Sequence, residues 1–99
     1  MKKDKPRNLL LKQAHTLLNG ERHDDYGEAL DNHKRIATIW SVILNRTISP
    51  EEVAACMIGV KLARLSNTMY KEDTWVDIIG YGALGGEFIQ QHKKYRETP

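Results

Sequence analysis

Polar side chains on otherwise apolar helical faces are the residues of this sequence that could do chemistry. Asp73 and Asp77 lie four residues apart in a proline-free stretch of helical length, so they share one helix face. Carboxylates at this spacing can share a hard cation such as Mg²⁺, which keeps several waters and takes substrate phosphates as further ligands. A carboxylate on a buried face must be paired, hydrogen-bonded or metal-bound. The spacing therefore predicts either a Mg²⁺ site or a buried ion pair.

Two cations offer the complementary half of such a site. Lys61 and Arg64 interrupt the apolar stretch from Val53 to Leu65, and the helical repeat places them about 60° apart. They could bind a phosphate group, with Arg64 bidentate. They could equally form an ionic network with Asp73 and Asp77 between two helices. Both interpretations stay open on the sequence alone.

A second group of polar residues follows the only long polar segment, residues 21–27. Asn32 and His33 lie on the apolar face of the next predicted helix, where buried polar groups need partners. Loops held by a rigid scaffold often carry binding residues, so a ligand site and satisfied structural residues are alternatives here. The candidate ligand-binding residues are Tyr26, Asn32, His33, Arg35, Lys61, Arg64, Trp75 and Tyr81; the candidate metal ligands are Asp73 and Asp77; no residue is assigned as catalytic.

A third candidate is the carboxylate pair Glu51 and Glu52. They follow Ser49 and Pro50, which gives an N-cap serine, a proline at the first helical position and a glutamate at the third. This is the pattern of a capping box. Capping is the simpler explanation of the pair, and metal ligation is the alternative.

Composition narrows the class of protein. The 99 residues are 40% hydrophobic and 28% charged, as in an ordinary small globular domain, and the net charge of +2 gives no argument for a nucleic-acid partner. The single cysteine, Cys56, excludes an internal disulfide, and its apolar surroundings predict a buried structural thiol. Zinc-type Cys/His spacing and a GKS or GKT phosphate loop are both missing from the sequence. With no apolar run near 18 residues, we expect a cytoplasmic protein without a membrane partner.

Four helices must position these residues. We predict them from about Pro6 to Asn19, from about Glu28 to Asn45, from Pro50 to Leu65, and from Glu72 to Gln91. Short links between four helices predict an all-α, four-helix antiparallel bundle. The whole chain would form one domain, with flexible tails at about residues 1–5 and 93–99.

The predicted fold is arranged around the last of these helices, from Glu72 to Gln91. Its apolar residues surround almost the whole circumference, as they do in the helix before it, which predicts burial on several sides. So small a chain cannot cover two such helices, and we therefore expect a homo-oligomer. Each of Gly80, Gly82, Gly85 and Gly86 costs about 1 kcal/mol in a helix interior, which close approach of a backbone or a ligand would offset.

Three stretches together resemble a small uncharacterised domain family from phages and prophages. They read DYGEALDNHKRIATIWS, EEVAACMIGVKLARL and EDTWVDIIGYGALGGEF, and the resemblance covers approximately Tyr26 to Phe88. It implies no particular activity. If the chain is phage-encoded, the resemblance implies the cytoplasm of the host cell.

The chain is more distantly similar to the all-α nucleotide pyrophosphohydrolases of the MazG kind. Those enzymes are oligomeric bundles that hold Mg²⁺ with EExxE on one helix and ExxD on another, and they cleave nucleoside triphosphates to monophosphate and pyrophosphate. Asp77 matches the aspartate of ExxD, but Thr74 stands where the glutamate belongs. Ala55 stands where the third glutamate of EExxE belongs. The resemblance implies a shared fold in which catalysis is altered or lost.

From residues and resemblance together we expect binding of a phosphorylated small molecule, first of all a nucleotide. The site would be the cleft between the second, third and fourth helices. Mg²⁺-dependent pyrophosphohydrolysis of nucleoside triphosphates is the enzymatic version of this expectation. The alternative is a non-enzymatic phage accessory protein that binds a host protein or sequesters a signalling nucleotide.

Overall fold

Four helices make up the described part of the protein. The structure, a computed structural model, describes residues 4–20 and 29–97, with side chains as far as residue 91. The helices are α1 (Pro6–Asn19), α2 (Ala29–Leu44), α3 (Pro50–Asn67) and α4 (Glu72–Glu97), and the described residues contain no strand. The prediction of an all-α chain with four helices is confirmed. Helix α4 is longer than expected and continues into the segment predicted as a tail.

Helix α1 ends where a glycine is required. Pro6 occupies its first turn, where a missing N–H costs nothing, and the helix stops at Asn19. A Cβ added to Gly20 would lie 2.6 Å from the carbonyl oxygen of Thr16, which is too close for any side chain. The predicted stop at this position is therefore explained by close backbone approach.

A tight turn joins α2 to α3. Asn45 adopts a left-handed conformation with φ of 54°, and the Arg46 N–H donates to the Ser41 carbonyl oxygen at 3.2 Å. This is the Schellman arrangement that commonly ends helices. The Ser41 hydroxyl also accepts from the Ile48 N–H at 2.8 Å. These bonds fix the direction in which the chain enters α3.

Helix α3 begins with the predicted capping box. The Ser49 hydroxyl accepts from the Glu52 N–H, and the Glu52 carboxylate accepts from the Ser49 N–H at 3.0 Å. Two backbone donors at the helix start are thus satisfied reciprocally. The prediction that Glu52 acts as a cap is confirmed.

Helix α4 is the element that the other three contact. Its contacts with α3 are the most extensive, and α1 contacts α4 alone among the described helices. Helices α3 and α4 run antiparallel, because Ala54 approaches Gly85 whereas Lys61 pairs with Asp77. Arrangement of all four helices as an antiparallel bundle stays a prediction.

The described core is small. Its buried apolar side chains are Ala14, Ala37, Val53, Ala54, Leu65, Val76 and Phe88. Helices α3 and α4 also carry exposed apolar side chains, since Val60, Leu62 and Ile89 are 45%, 54% and 55% exposed. The single chain thus leaves part of both helices uncovered, as expected for so small a chain, and the homo-oligomer stays a prediction. Cys56 is exposed as well, which corrects the prediction of a buried thiol. The physical reason is that neighbouring helices cover only part of the circumference of α3 and α4.

The chain is also extended for its size. Its radius of gyration is 15.5 Å, against about 13 Å for a compact domain of this length. None of the described helices combines the length and the apolar character needed to cross a bilayer.

Candidate functional site

An open groove lies between α1, the C-terminal half of α3 and the N-terminal half of α4. Its volume is about 860 Å³. Apolar side chains and a mixed set of charged and polar side chains line it: Leu9, Lys12, Gln13, Thr16, Leu17, Arg64, Lys71, Asp73, Thr74, Val76 and Asp77. The groove thus presents cations from three segments of the chain beside two carboxylates of α4.

Asp77 forms the ionic contact at the edge of this groove. Its carboxylate lies 2.9 Å from the Lys61 ammonium, and the two side chains are 26% and 14% exposed. An ionic contact between the third and fourth helices, one of the two alternatives that the sequence left open, is therefore present. A carboxylate has more acceptor positions than one ammonium can fill. Asp77 can consequently serve as an ion-pair partner and still face the groove.

Asp73 and Arg64 lie near Asp77 in the groove. Asp73 precedes Asp77 by one turn of α4, and Arg64 follows Lys61 by one turn of α3. Both side chains are exposed. The structure thus brings together both predicted metal ligands and one of the two predicted phosphate ligands in a single groove, and the other, Lys61, pairs with Asp77.

Helix α1 supplies a wall of the groove that sequence reasoning missed. Lys12, Gln13 and Thr16 line it although they look like ordinary exposed helix surface in the sequence. Lys12 is paired with Asp4. The sequence offered one indication, which is that these polar residues flank the apolar stripe of α1, formed by Leu10, Leu11, Ala14, Leu17 and Leu18.

His33 lies elsewhere, where α2 meets α4. Its side chain is 5% exposed, and its ring lies 4.9 Å from that of Phe88 and 6.3 Å from that of Tyr81. Nδ1 lies 2.8 Å from the Ala29 carbonyl oxygen, which can only accept, so Nδ1 donates to it, and in the neutral ring Nε2 is then an acceptor. Among the described residues this buried Nε2 has no hydrogen-bond partner. Such an acceptor costs about 1–3 kcal/mol.

The other predicted ligand-binding residues are dispersed. Asn32 is half-buried and Arg35 is exposed on α2. Trp75 is 40% exposed, and its indole N–H donates to the Met69 carbonyl oxygen at 2.9 Å. Tyr26 lies outside the described residues. The predicted residues therefore fall into a groove group and an α2–α4 group, which meet where Asp77 and Tyr81 stand one turn apart on α4, whereas Trp75 belongs to neither group.

Helix capping engages Glu52, one of the carboxylates considered as a metal ligand. Glu52 is occupied by Ser49 and by Arg46, whose guanidinium lies 2.9 Å away. The Ser49 N–H, the Ser49 hydroxyl and Arg46 all hold the pKa of the Glu52 carboxyl below its usual value. No group of three or more His, Cys, Asp or Glu side chains placed to hold a metal occurs within residues 4–20 and 29–91. Asp73 and Asp77 alone fit Mg²⁺ of the kind that relies on one or two carboxylates plus substrate phosphates.

Comparison with known proteins places the chain in a family. Residues 9–89 match DUF6378, a domain of unknown function. The chain belongs to the DUF6378 family. This confirms the expected membership of an uncharacterised phage domain family, because related proteins come from phages. The DUF6378 match takes in every residue that lines the groove, as well as His33 and Phe88.

Two relatives are the Gene 55 proteins of Mycobacterium phage L5 and Mycobacterium phage D29. The first is 40% identical over 92 residues, which is 91% of this chain and 59% of the relative. The second is 40% identical over 72 residues, which is 73% of this chain and 48% of the relative. The chain thus spans about half the length of these relatives. No solved structure matches it.

Proposed function

We propose that this DUF6378 protein binds a phosphorylated small molecule, a nucleotide in the first instance, in the groove between α1, α3 and α4. The observation that carries the proposal is the half-buried Asp77, which pairs with Lys61 at 2.9 Å and also lines the groove with Asp73 and Arg64. Oppositely charged groups gathered in one concave site are the ordinary means of fixing a charged ligand.

The cations of the groove suit phosphate. Arg64 is an exposed guanidinium that could bind two phosphate oxygens at once, and Lys71 adds a point charge from the segment before α4. From α1, Gln13 and Thr16 supply neutral hydrogen-bonding groups. The volume of about 860 Å³ is within the range of small-molecule sites, roughly 300–1,000 Å³.

Asp73 and Asp77 are the residues that would hold Mg²⁺. They line the same groove as Arg64 and Lys71, so a metal held by them would share the groove with the cations that suit phosphate. When bound, Mg²⁺ would neutralise phosphate charge and orient a water molecule for attack. The distant similarity to MazG-type enzymes supports the enzymatic version, pyrophosphohydrolysis of nucleoside triphosphates in the cytoplasm of a host cell. The missing ExxD glutamate at Thr74 favours binding without turnover.

An alternative function rests on a different surface. The C-terminal half of α2 exposes Ile39, Val42 and Ile43 at 58%, 78% and 71%. Apolar exposure of this kind marks interaction surfaces. A non-enzymatic accessory role in which a DUF6378 protein binds a host protein would use this surface, whereas sequestering a signalling nucleotide would use the cations of the groove.

A ligand panel tests the proposal. The protein would be melted with individual nucleoside triphosphates, each with and without Mg²⁺, and the same mixtures assayed for pyrophosphate release. We expect Mg²⁺-dependent stabilisation, because a ligand that binds only the folded state adds about 2.7 kcal/mol at a hundredfold excess over its Kd. Stabilisation without pyrophosphate would indicate a binder, and pyrophosphate would indicate the enzyme.

Two arginines form a matched pair of variants. Arg64→Ala removes a groove cation, and Arg35→Ala removes an equally exposed cation of α2. We expect the first variant to lose affinity by about tenfold or more and the second to bind as the wild type does. Equal losses would place the ligand nearer to α2, in the cleft expected from the sequence. The absence of stabilisation by any nucleotide would overturn the proposal.

A further inference from the structure

One face of α4 is apolar, uncharged and open. Trp75, Ile79, Gly82, Gly86 and Ile89 follow one another at spacings of four, three, four and three residues, and we call them the open stripe. This is the 3.5-residue repeat by which one helix packs along another. Trp75 and Ile89 are 40% and 55% exposed, Ile79 is half-buried, and both glycines are exposed.

The two glycines of the open stripe have no use within the described chain. A Cβ added to Gly82 or Gly86 would meet nothing within 4 Å among the described residues. Gly85, by contrast, faces Ala54, whose Cβ would lie 3.4 Å from an added Cβ. Glycine is unfavourable in a helix interior, and close approach of another backbone is its usual reason there. The approaching backbone must therefore come from outside the described fold.

The spacing of the open stripe is symmetric about Leu84. Gly82 and Gly86 each lie two residues from Leu84, and Ile79 and Ile89 each lie five residues from it. An antiparallel pair of identical helices centred at Leu84 therefore places glycine opposite glycine and isoleucine opposite isoleucine. Such a pair satisfies the requirement of a twofold interface that the same patch be complementary to itself.

The charges at the two ends of α4 fit this arrangement. Glu72 lies twelve residues before Leu84 and Arg96 twelve residues after it, both in the spacing of the open stripe. An antiparallel pair brings the Glu72 position opposite the partner's Arg96 position. A parallel pair would set each of these positions opposite its own like charge, which is unfavourable. The residue types at these two positions therefore favour the antiparallel over the parallel direction, and the Glu72 carboxylate, which accepts from Gln13 at 3.2 Å, keeps further acceptor positions.

We propose that two copies of this chain associate through antiparallel packing of their α4 helices along the open stripe, with Gly82 of each copy opposite the partner's Gly86. No described residue covers the middle of this face, since an added Cβ at Gly82 or Gly86 meets nothing within 4 Å. The groove lies on the other side of α4, so the proposal does not depend on the proposed function. Both grooves of the pair would stay accessible.

Glycine-to-leucine variants test the interface. Gly82→Leu places a side chain between the two helices, and we expect it to raise the dissociation constant by about tenfold or more in sedimentation equilibrium. Gly59→Leu is the matched control, because Gly59 is an α3 glycine whose added Cβ also meets nothing within 4 Å of the described residues. Both variants should keep the wild-type helical circular dichroism. A monomeric wild type, or equal weakening by the two variants, would overturn the proposal.

Disulfide crosslinking tests the direction of packing. In a Cys56→Ser background, Ile79→Cys and Ile89→Cys proteins should crosslink when mixed and not when oxidised separately. The 79 positions of the two copies would lie about 15 Å apart along the axis, beyond the reach of a disulfide. Crosslinking of the Ile79→Cys protein with itself would indicate parallel packing and overturn the antiparallel arrangement.

Discussion

The two sides of α4 have similar amino acids and different surroundings. On the packed side, Gly85 meets Ala54, and Phe88 is 1% exposed against His33. On the open stripe, Gly82 meets nothing within 4 Å among the described residues, and Ile89 is 55% exposed. Glycine and large apolar residues occur on both sides, so these residue types alone do not tell which side is covered. The difference between the sides lies in what the rest of the fold brings to each.

The same division separates two proposed activities. The packed side carries the polar groups, among them Asp77 with its Lys61 partner, and faces the groove. The open stripe carries no charge between Trp75 and Ile89. Ligand binding and self-association would therefore use opposite sides of one helix. A change on either side should leave the other property intact.

The largest effect should come from truncating the packed side. Phe88→Ala removes one of the largest fully buried side chains and should lower the free energy of unfolding by about 3–5 kcal/mol. The adjacent Ile89→Ala should change it by no more than about 0.5 kcal/mol in dilute protein, because Ile89 is 55% exposed. Urea unfolding of both variants measures the contrast. Comparable losses would show that Ile89 is covered within the single chain.

A smaller effect is expected from the ion pair. Asp77→Asn leaves Lys61, 14% exposed, against a neutral amide, and we expect a loss of about 1–3 kcal/mol in unfolding free energy. Arg46→Met removes a pair with Glu52 in which both partners are far more exposed, so urea unfolding should show a smaller loss than for Asp77→Asn.

The Asp77→Asn variant also tests whether Asp77 holds a metal ion. If Asp77 holds Mg²⁺, Asp77→Asn should abolish any Mg²⁺-dependent stabilisation by nucleotide, since an amide is a poor ligand for a hard cation. Melts of the wild type and variant, with and without Mg²⁺ and nucleotide, measure this. If the variant is destabilised, and neither Mg²⁺ nor nucleotide changes the melting temperature of the wild type, Asp77 serves only as the ion-pair partner of Lys61.

A substitution at the start of α3 serves as a control, because it lies on neither side of α4. Ser49→Ala removes the hydroxyl of the α3 capping box and should cost about 1 kcal/mol, without altering the mass of the assembly or ligand affinity. Chemical unfolding and sedimentation would check both expectations. A change of mass would mean that the start of α3 participates in association.

The capping box also predicts a pH dependence. The pKa of Glu52 in the folded protein is lowered from 4.5, first by the Ser49 N–H. A group whose folded pKa is depressed stabilises the fold above its unfolded pKa, and that contribution is lost as pH falls through the folded value. Glu52→Gln should therefore be less stable than the wild type near neutral pH. The two stability curves should converge below about pH 4.5.

Much of the fold could be predicted from patterns of residues close together in the sequence. The capping box at Ser49, the stop at Gly20 and the apolar stripes gave four helices and most of their ends, because each depends on residues close in sequence. That Lys61 and Asp77 need partners also followed from the sequence, since charges on apolar helix faces must be paired, but their pairing with each other was only one of two open alternatives.

The remainder depended on contacts distant in sequence. Hydropathy predicted that α3 and α4 carry much apolar surface, but it does not report which neighbours reach that surface, and Val60, Leu62 and Ile89 stay exposed. The contribution of α1 to the groove was missed for the same reason, since nothing in Lys12 or Thr16 reports proximity to Asp73. Cys56 was placed inside on its apolar neighbours and lies on the exposed face of α3.

The smallest effect should separate two glycines that look alike in the single chain. Gly59→Ala and Gly82→Ala each add a methyl group into open space, and in dilute protein each should stabilise its helix by about 0.5–1 kcal/mol. If copies pair along the open stripe, the melting temperature of the wild type should rise with protein concentration. Gly59→Ala should follow the wild-type curve at a constant offset, whereas the gain from Gly82→Ala should shrink as pairing forces its methyl group between two backbones. Thermal melts over a concentration series measure the two offsets, and parallel curves for both variants would show that Gly82 stays on free surface.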